Sequence, residues 1–344
     1  MEIGTGLFTC QRRPDDDRST AEIYDEMLRL GRAIDDAGLA SAWVSEHHFA
    51  EDGYLSATMP SLGALAAETD DVELGTCIAL APLYDGVRLA EDAATVDLLS
   101  DGRLTLGLAI GSNPREFEEF GVSKDERVER LRDTTDLLRG AWSAGPLDYD
   151  PEFHDVSPDA TVTPKPDSEI PVMYGGSAKP AVRRAARVAD AWCAPSALSV
   201  EGVRKRVEDI RSVRAEEGLR ADASEAGDAA DDFQIYVLQH GFVGDSKAEA
   251  WDAMKEGYLY IQRRYAEIFS GEPVDQLDDE RKRELKDQAI FGTPEQVIDQ
   301  LAEYRAALGD DVHFVFRTYH PGIGTDRMVE CVERLGDEVV PAVE

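Results

Sequence analysis

Residues 72–82 read V-E-L-G-T-C-I-A-L-A-P, and residues 88–107 read R-L-A-E-D-A-A-T-V-D-L-L-S-D-G-R-L-T-L-G. The first stretch predicts a long apolar strand, Val72–Ala81. The second predicts a helix over Arg88–Leu99 that ends at Ser100-Asp101-Gly102. A further strand, Arg103–Ile110, follows at once and breaks at Gly111-Ser112-Asn113-Pro114. Strand, helix and strand in this order make one unit of a parallel α/β fold.

The same alternation extends in both directions. Upstream lie a strand (Ile3–Cys10), a polar loop (Gln11–Arg18) and a helix with Ile23, Met27, Leu30, Ile34 and Ala37 on one face. Ser19 with Glu22 forms a capping box for that helix, and Gly38 stops it. A short strand, Ala40–Val44, and a small-residue helix, Ser61–Glu68, lead into the quoted unit. Downstream come helix Lys124–Trp142, expected behind a Ser123–Glu126 capping box, and strand Ile170–Tyr174. Helix Pro180–Val188, strand Ala191–Ala194, helix Val200–Glu217, strand Phe233–Val243 and helix Lys247–Ile268 continue the pattern. Thr293-Pro294-Glu295-Gln296 opens a helix to Leu308 with Pro at its first position. Strand Val312–Tyr319 and a helix ending near Val340 close the chain. The count approaches eight units with no change of composition between them. The expected fold is therefore one α/β domain over residues 1–344, a (β/α)8 TIM barrel. Insertions are expected near 146–168, 218–232 and 270–290, the last of them a charged lid or helix. No G-x-G-x-x-G or P-loop follows the first strand, which argues against an open dinucleotide-binding sheet.

Charge is the loudest global property: 70 acidic residues against 36 basic, net −34. Such a field repels nucleic acid and anionic membranes, so neither is an expected partner. No apolar run approaches the roughly 18 residues of a membrane span. The four cysteines, Cys10, Cys77, Cys193 and Cys331, are far apart with no C-x-x-C. They read as free thiols of a cytoplasmic protein.

In a parallel barrel, chemistry is done where strands end and loops begin. The run Trp43–Gly53, W-V-S-E-H-H-F-A-E-D-G, puts Glu46, His47 and His48 at such a place. A lone histidine there is more often packed than functional, but an adjacent Glu-His-His is harder to dismiss. Strand alternation would send the two imidazoles to opposite sides, with Glu46 near the inward one. The other strand ends are apolar or small. The first strand closes on Phe8-Thr9-Cys10 rather than His-x-His, so no metal site is expected. That lining suits a flat aromatic cofactor. Gly175-Gly176-Ser177, between a strand and a helix, resembles a phosphate cradle, with Lys179, Arg183 and Arg184 close by.

Three blocks, in order, resemble the bacterial luciferase-like monooxygenases, flavin-dependent (β/α)8-barrel enzymes: E-H-H-F at 46–49, the quoted run from Leu74 to Gly107, and P-V-M-Y-G-G-S at 171–177. The final G-T-P-E-Q-V unit fits as well, so the resemblance spans the chain, which reads as an acidic, haloarchaeal-type member. It implies that His47 is the active-site histidine, supported by Glu46 and His48. It further implies that Gly175, Gly176, Ser177 and Lys179 hold the flavin phosphate, and that Phe8, Cys77, Ile78 and Ala109 lie about the ring. The Cys77–Ile78 bond matches a non-prolyl cis peptide. Two departures matter: Ala109 replaces a reactive cysteine of the light-emitting enzymes, and Ile110 replaces an arginine on the phosphate. The implied activity is oxidation of a small organic substrate by reduced FMN and O2, with FMN reduced by a separate flavin reductase. The alternatives are hydride transfer with coenzyme F-420 on the same fold and a non-catalytic flavin-binding barrel. A homodimer is implied too.

The acidity has its own consequence. At 1 M salt the Debye length falls to about 3 Å and self-repulsion is screened. The melting temperature is therefore expected to rise steeply between dilute buffer and molar KCl; a salt-independent melt would refute adaptation to a high-salt cytoplasm.

Overall fold

The computed structural model describes residues 1–219 and 233–343. Its strands are β1 (Glu2–Phe8), β2 (Ser41–Val44), β3 (Glu73–Thr76), β4 (Ala79–Leu80), β5 (Leu104–Ala109), β6 (Val172–Gly175), β7 (Ala191–Ala194), β8 (Gln234–Val243), β9 (Ile290–Gly292) and β10 (Val312–Arg317). Among the described residues, eight of these form a closed parallel ring, β1-β2-β3-β5-β6-β7-β8-β10, with β10 paired to both β8 and β1. This is the expected (β/α)8 barrel. The surrounding helices are α1 (Thr20–Asp36), α2 (Thr58–Ala66), α3 (Gly86–Leu99), α4 (Pro114–Phe120), α5 (Arg127–Trp142), α6 (Lys179–Val188), α7 (Val200–Glu216), α8 (Lys247–Ser270), α9 (Asp279–Gln288), α10 (Pro294–Leu308) and α11 (Thr325–Arg334). None of the described helices is long and apolar enough to cross a membrane.

Two cores result from the period-2 alternation of the strands. One face of each strand meets the helices. The other fills the barrel, where Leu7, Trp43, Cys77, Met173, Cys193, Tyr236 and Val315 pack together under the partly exposed Ile78 and Leu238. The Cys77 and Cys193 sulfurs lie 3.6 Å apart in this interior, and all four cysteines are free and buried.

Local signals were honoured where they were complete. Both the Ser19–Glu22 and Thr293–Gln296 capping boxes form. The Ser123–Glu126 box does not. The chain enters α5 through a tight turn at Lys124–Glu126, Ser123 makes no side-chain cap, and Glu126 binds Arg130 at 3.0 Å instead. The long strand expected at Val72–Ala81 is two pieces: β3 and β4 both run along β5, and the Cys77–Ile78 peptide between them is cis. At the crossing the chain presses onto β5, where a Cβ on Gly107 would stand 2.0 Å from the Thr76 carbonyl oxygen. Only glycine admits that approach.

The excursion at 146–168 is irregular, as expected, and hairpin-like in part: Leu147 N donates to Ala160 O at 2.8 Å. Asp133 on α5 ties it down, accepting from Tyr149 Oη and from the amides of Glu152 and Phe153. The 270–290 stretch holds α9 and leads into β9, which pairs with the far end of β8. The third expected insertion, 218–232, falls almost wholly outside the described residues.

Gly107→Ala is expected to destabilise the fold by about 1–3 kcal/mol, the scale of overpacking. Gly63→Ala in α2, where nothing lies within 4 Å of a new Cβ, should stabilise it by about 0.5–1 kcal/mol. Paired denaturant melts check both signs.

Candidate functional site

β2 ends at Val44, so Ser45–His48 leave the sheet as irregular backbone. The Glu46 side chain is fully buried. Its carboxylate accepts from His48 Nε2 at 2.5 Å, Tyr84 Oη at 2.7 Å and the Leu80 amide at 3.2 Å. The expectation that Glu46 supports His47 is thereby corrected. Strand alternation no longer applies past Val44, and Glu46 grips His48 instead.

His47 is held by Glu116. Its Nδ1 lies 3.0 Å from Glu116 Oε1, which also accepts the His48 amide at 2.9 Å. Glu116 is fully buried, and its Oε2 has no partner among the described residues. Glu116 Oε1 is thus shared between the His47 ring and the His48 amide, and His47 Nε2 has no hydrogen-bond partner among the described residues. The ring stands edge-on to Tyr54 at 4.8 Å and to Tyr265 at 6.0 Å. Glu116 was not anticipated from sequence, although its helix was signalled. The Asn113 side chain caps the Arg115 amide, Pro114 starts α4, and Glu116 falls in the first turn, where an acidic side chain suits the helix dipole.

Strand residues are buried almost throughout, yet Ile78, Ala109, Ile110 and Gly175 are partly exposed at or just past strand C-terminal ends, as is Leu238 in the middle of β8. These residues mark the accessible mouth, and they are apolar or small. Cys77 lies beneath it, inside the barrel. Phe8 does not join the mouth: it is fully buried and packs edge-on against Tyr319 at 5.5 Å.

At the end of β6, Gly176 takes φ +116° and a Cβ on Gly175 would stand 2.4 Å from Ile78 Cδ1. The following helix, α6, begins after Ala178 with no side-chain cap; Pro180 brings no N–H, and the Ala181 and Val182 amides donate to the Ala178 carbonyl at 2.9 and 3.0 Å. Ser177 is half-buried, and its carbonyl accepts from Arg206 Nε at 2.7 Å. Lys179 points elsewhere: its ammonium pairs with Asp209 at 3.1 Å and is 60% exposed. Arg183 faces Glu216 at 3.9 Å.

Across the mouth, His240 and His320 stack at 5.4 Å, both buried. Burial first, and the Arg317 charge second, depress both imidazoles, His320 to about 3. Arg317 and Tyr265 complete this side and were not singled out from sequence.

The sequence matches the luciferase-like monooxygenase family over residues 1–311. It is 27% identical to the oxygenase component of a flavin-dependent trigonelline monooxygenase from Acinetobacter baylyi, over 98% of this chain and 94% of that one. The fold superposes on the oxygenating constituent of 3,6-diketocamphane monooxygenase from Pseudomonas putida, solved with FMN (TM-score 0.75, 19% identity, 99% of each chain). It also superposes on an F-420-dependent secondary alcohol dehydrogenase (TM-score 0.73, 17% identity, 100% of each chain). With a closed parallel barrel, the Glu-His-His loop at the end of β2 and a family match over most of its length, this chain belongs to the luciferase-like monooxygenase family of enzymes.

Proposed function

We propose that this chain is the oxygenase component of a two-component flavin monooxygenase, using FMN reduced by a separate flavin reductase, and O2, to oxidise a small organic substrate. The observation that supports the reading is His47, an imidazole held by the buried Glu116 carboxylate in the loop that follows β2. The similarity to an oxygenase component along nearly the whole chain supports the reductase partner.

The residues present fit a flavin. The glycine turn before α6, where Gly176 takes a positive φ, and the Ser177 hydroxyl suit a phosphate, with the Arg206 guanidinium on the Ser177 carbonyl as the nearest cation. Ile78 and Leu238 offer a flat apolar floor, made accessible because Gly175 has no Cβ. Bound there, FMN would supply the reaction with O2. Within this chain, His47 would hold and move a proton at Nε2, with Glu116 holding the ring through Nδ1. Glu46 and His48 act as positioning residues: their pairing locks the loop to β4 and Tyr84. Ala109 leaves room at the end of β5 where the light-emitting relatives carry a thiol. The acidic surface extends the reading to one barrel domain working as a homodimer in a high-salt cytoplasm.

The same mouth would accept a deazaflavin, and the fold it shares with an F-420-dependent dehydrogenase supports hydride transfer with coenzyme F-420 as the second reading. Reconstituted protein is expected to bind FMN, with a visible band at roughly 450 nm; selective binding of the deazaflavin, near roughly 420 nm, would favour the second reading.

His47→Ala should lower turnover by about 10²–10⁴-fold, the range of general acid–base catalysis, and leave FMN affinity unchanged. Glu116→Ala should lower it in the same direction, while Glu116→Gln, which keeps an acceptor oxygen, should lose less. Stopped-flow oxygen consumption with flavin binding measured in parallel checks this; normal turnover in the His47 variant would remove it from the mechanism.

A further inference from the structure

Arg317 ends β10 and is fully buried. It shares strand parity with Val315, which packs inside the barrel, so its guanidinium belongs to the uppermost interior layer. Nη1 donates to Tyr265 Oη at 3.1 Å, and Nε reaches the Tyr319 carbonyl at 3.5 Å. Nη2 has no partner, and no carboxylate pairs with the group among the described residues. This is not a shortage of acid in a chain with 70 acidic residues. Natural interiors pair a buried cation or leave it a ligand.

The surroundings have the same character. His240 is the register partner of Arg317 on β8, and its Nδ1 is unpartnered. Both nitrogens of His320, Tyr319 Oη and Thr9 Oγ1 are unpartnered as well. His240 stands level with Arg317 on β8, Tyr319 and His320 follow β10, and Thr9 follows β1, three consecutive strands of the ring. Both imidazoles are held neutral, so one positive charge faces only neutral polar groups. The wall also connects to the proposed catalytic residue. Tyr265 Oη meets Tyr54 Oη at 2.9 Å, Tyr54 donates to Ser45 Oγ at 3.0 Å, and the His47 ring lies against both tyrosines. The glycine turn that suits a flavin phosphate is on β6, three strands away around the ring. The two anion sites are separate.

We propose that Arg317 anchors a carboxylate group of the organic substrate, so that the substrates of this enzyme are small organic acids. The assignment rests on the flavin monooxygenase reading for its chemistry and on the unpaired guanidinium for its class. The planar fork of an arginine suits a carboxylate, and Nη2 offers the charge-assisted bonds. Tyr265, bonded to Nη1, would be the side chain that yields or re-pairs when the acid arrives. His47 then faces the part of the substrate that is not anchored.

The test is made first on protein without cofactor, at fixed ionic strength, by thermal shift and calorimetry. The probes are acetate, benzoate, phenylacetate and nicotinate, each beside its uncharged carboxamide. At least one acid is expected to bind about tenfold or more tightly than its amide, the scale of a charge-assisted hydrogen bond. Arg317→Gln should abolish that preference, and Arg317→Lys should restore part of it. Equal binding of acids and amides to the wild type overturns the proposal, and this arm needs no variant to fold. A preference surviving in Arg317→Gln also overturns it, as does a loss of FMN affinity in that variant with acid binding intact, which would give Arg317 to the cofactor. Oxygen-dependent turnover separates the two readings. Acids that bind selectively but are never oxidised with either cofactor sink the monooxygenase assignment and leave the anion site. FMN-dependent oxidation of neutral substrates alone does the reverse.

Discussion

The pairing of β10 with both β8 and β1 is the constraint on which everything else depends. Closure leaves no free strand edge in the ring, so the strand hydrogen bonds are used within it. It also fixes the parity of every strand at once, because a one-residue slip would exchange barrel interior for helix-facing core. The interior is filled by side chains from the middle of the strands, Trp43, Met173, Tyr236 and Val315 among them. Above that packing, Ile78 and Leu238 are only partly buried. The proposed chemistry therefore belongs to the C-terminal rim, where the strand ends give way to loops.

On that rim two buried glutamates divide the work of one short loop. Glu46 ties His48 to Leu80 and Tyr84, and so to the strand piece that continues along β5. Glu116 reaches in from α4 to hold His47 and the His48 amide with a single oxygen. A buried carboxylate costs heavily unless its partners are well placed, and removing one partner of such a pair typically costs about 3–5 kcal/mol. The loop is therefore tied down at both imidazoles, although it has no regular secondary structure.

Much of the barrel was legible because its signals are local. Ser19 with Glu22, and Thr293 with Gln296, announce helix starts within four residues, and both boxes formed. The unbroken apolar run at 72–81 concealed a break, because a chain crossing over Gly107 leaves no mark on hydropathy. Glu46, His47 and His48 stood out by adjacency, but their pairing did not. The partner of His47 comes from 69 residues away, on a helix that Asn113-Pro114 heralded and whose one inward acid looks like any other surface glutamate. Arg317 was less legible still. Its distinction is the counter-ion it lacks, and a missing contact cannot be read from a string of residues.

The sealed thiols have a consequence for an enzyme of this chemistry. Cys77 and Cys193 lie directly below the mouth with their sulfurs in contact distance, roofed by Ile78 and Leu238. Thiolates, not thiols, are what oxidants attack, and the shared proton contact with Cys77 together with burial pushes the Cys193 thiol well up from its ordinary range. Burial does the same for Cys331, to about 12, and raises Cys10. A catalyst that reduces dioxygen imperfectly releases peroxide at its own doorstep. Here the Cys193 thiol is kept protonated beneath Ile78 and Leu238, so the barrel floor would withstand the errors of the proposed reaction with dioxygen.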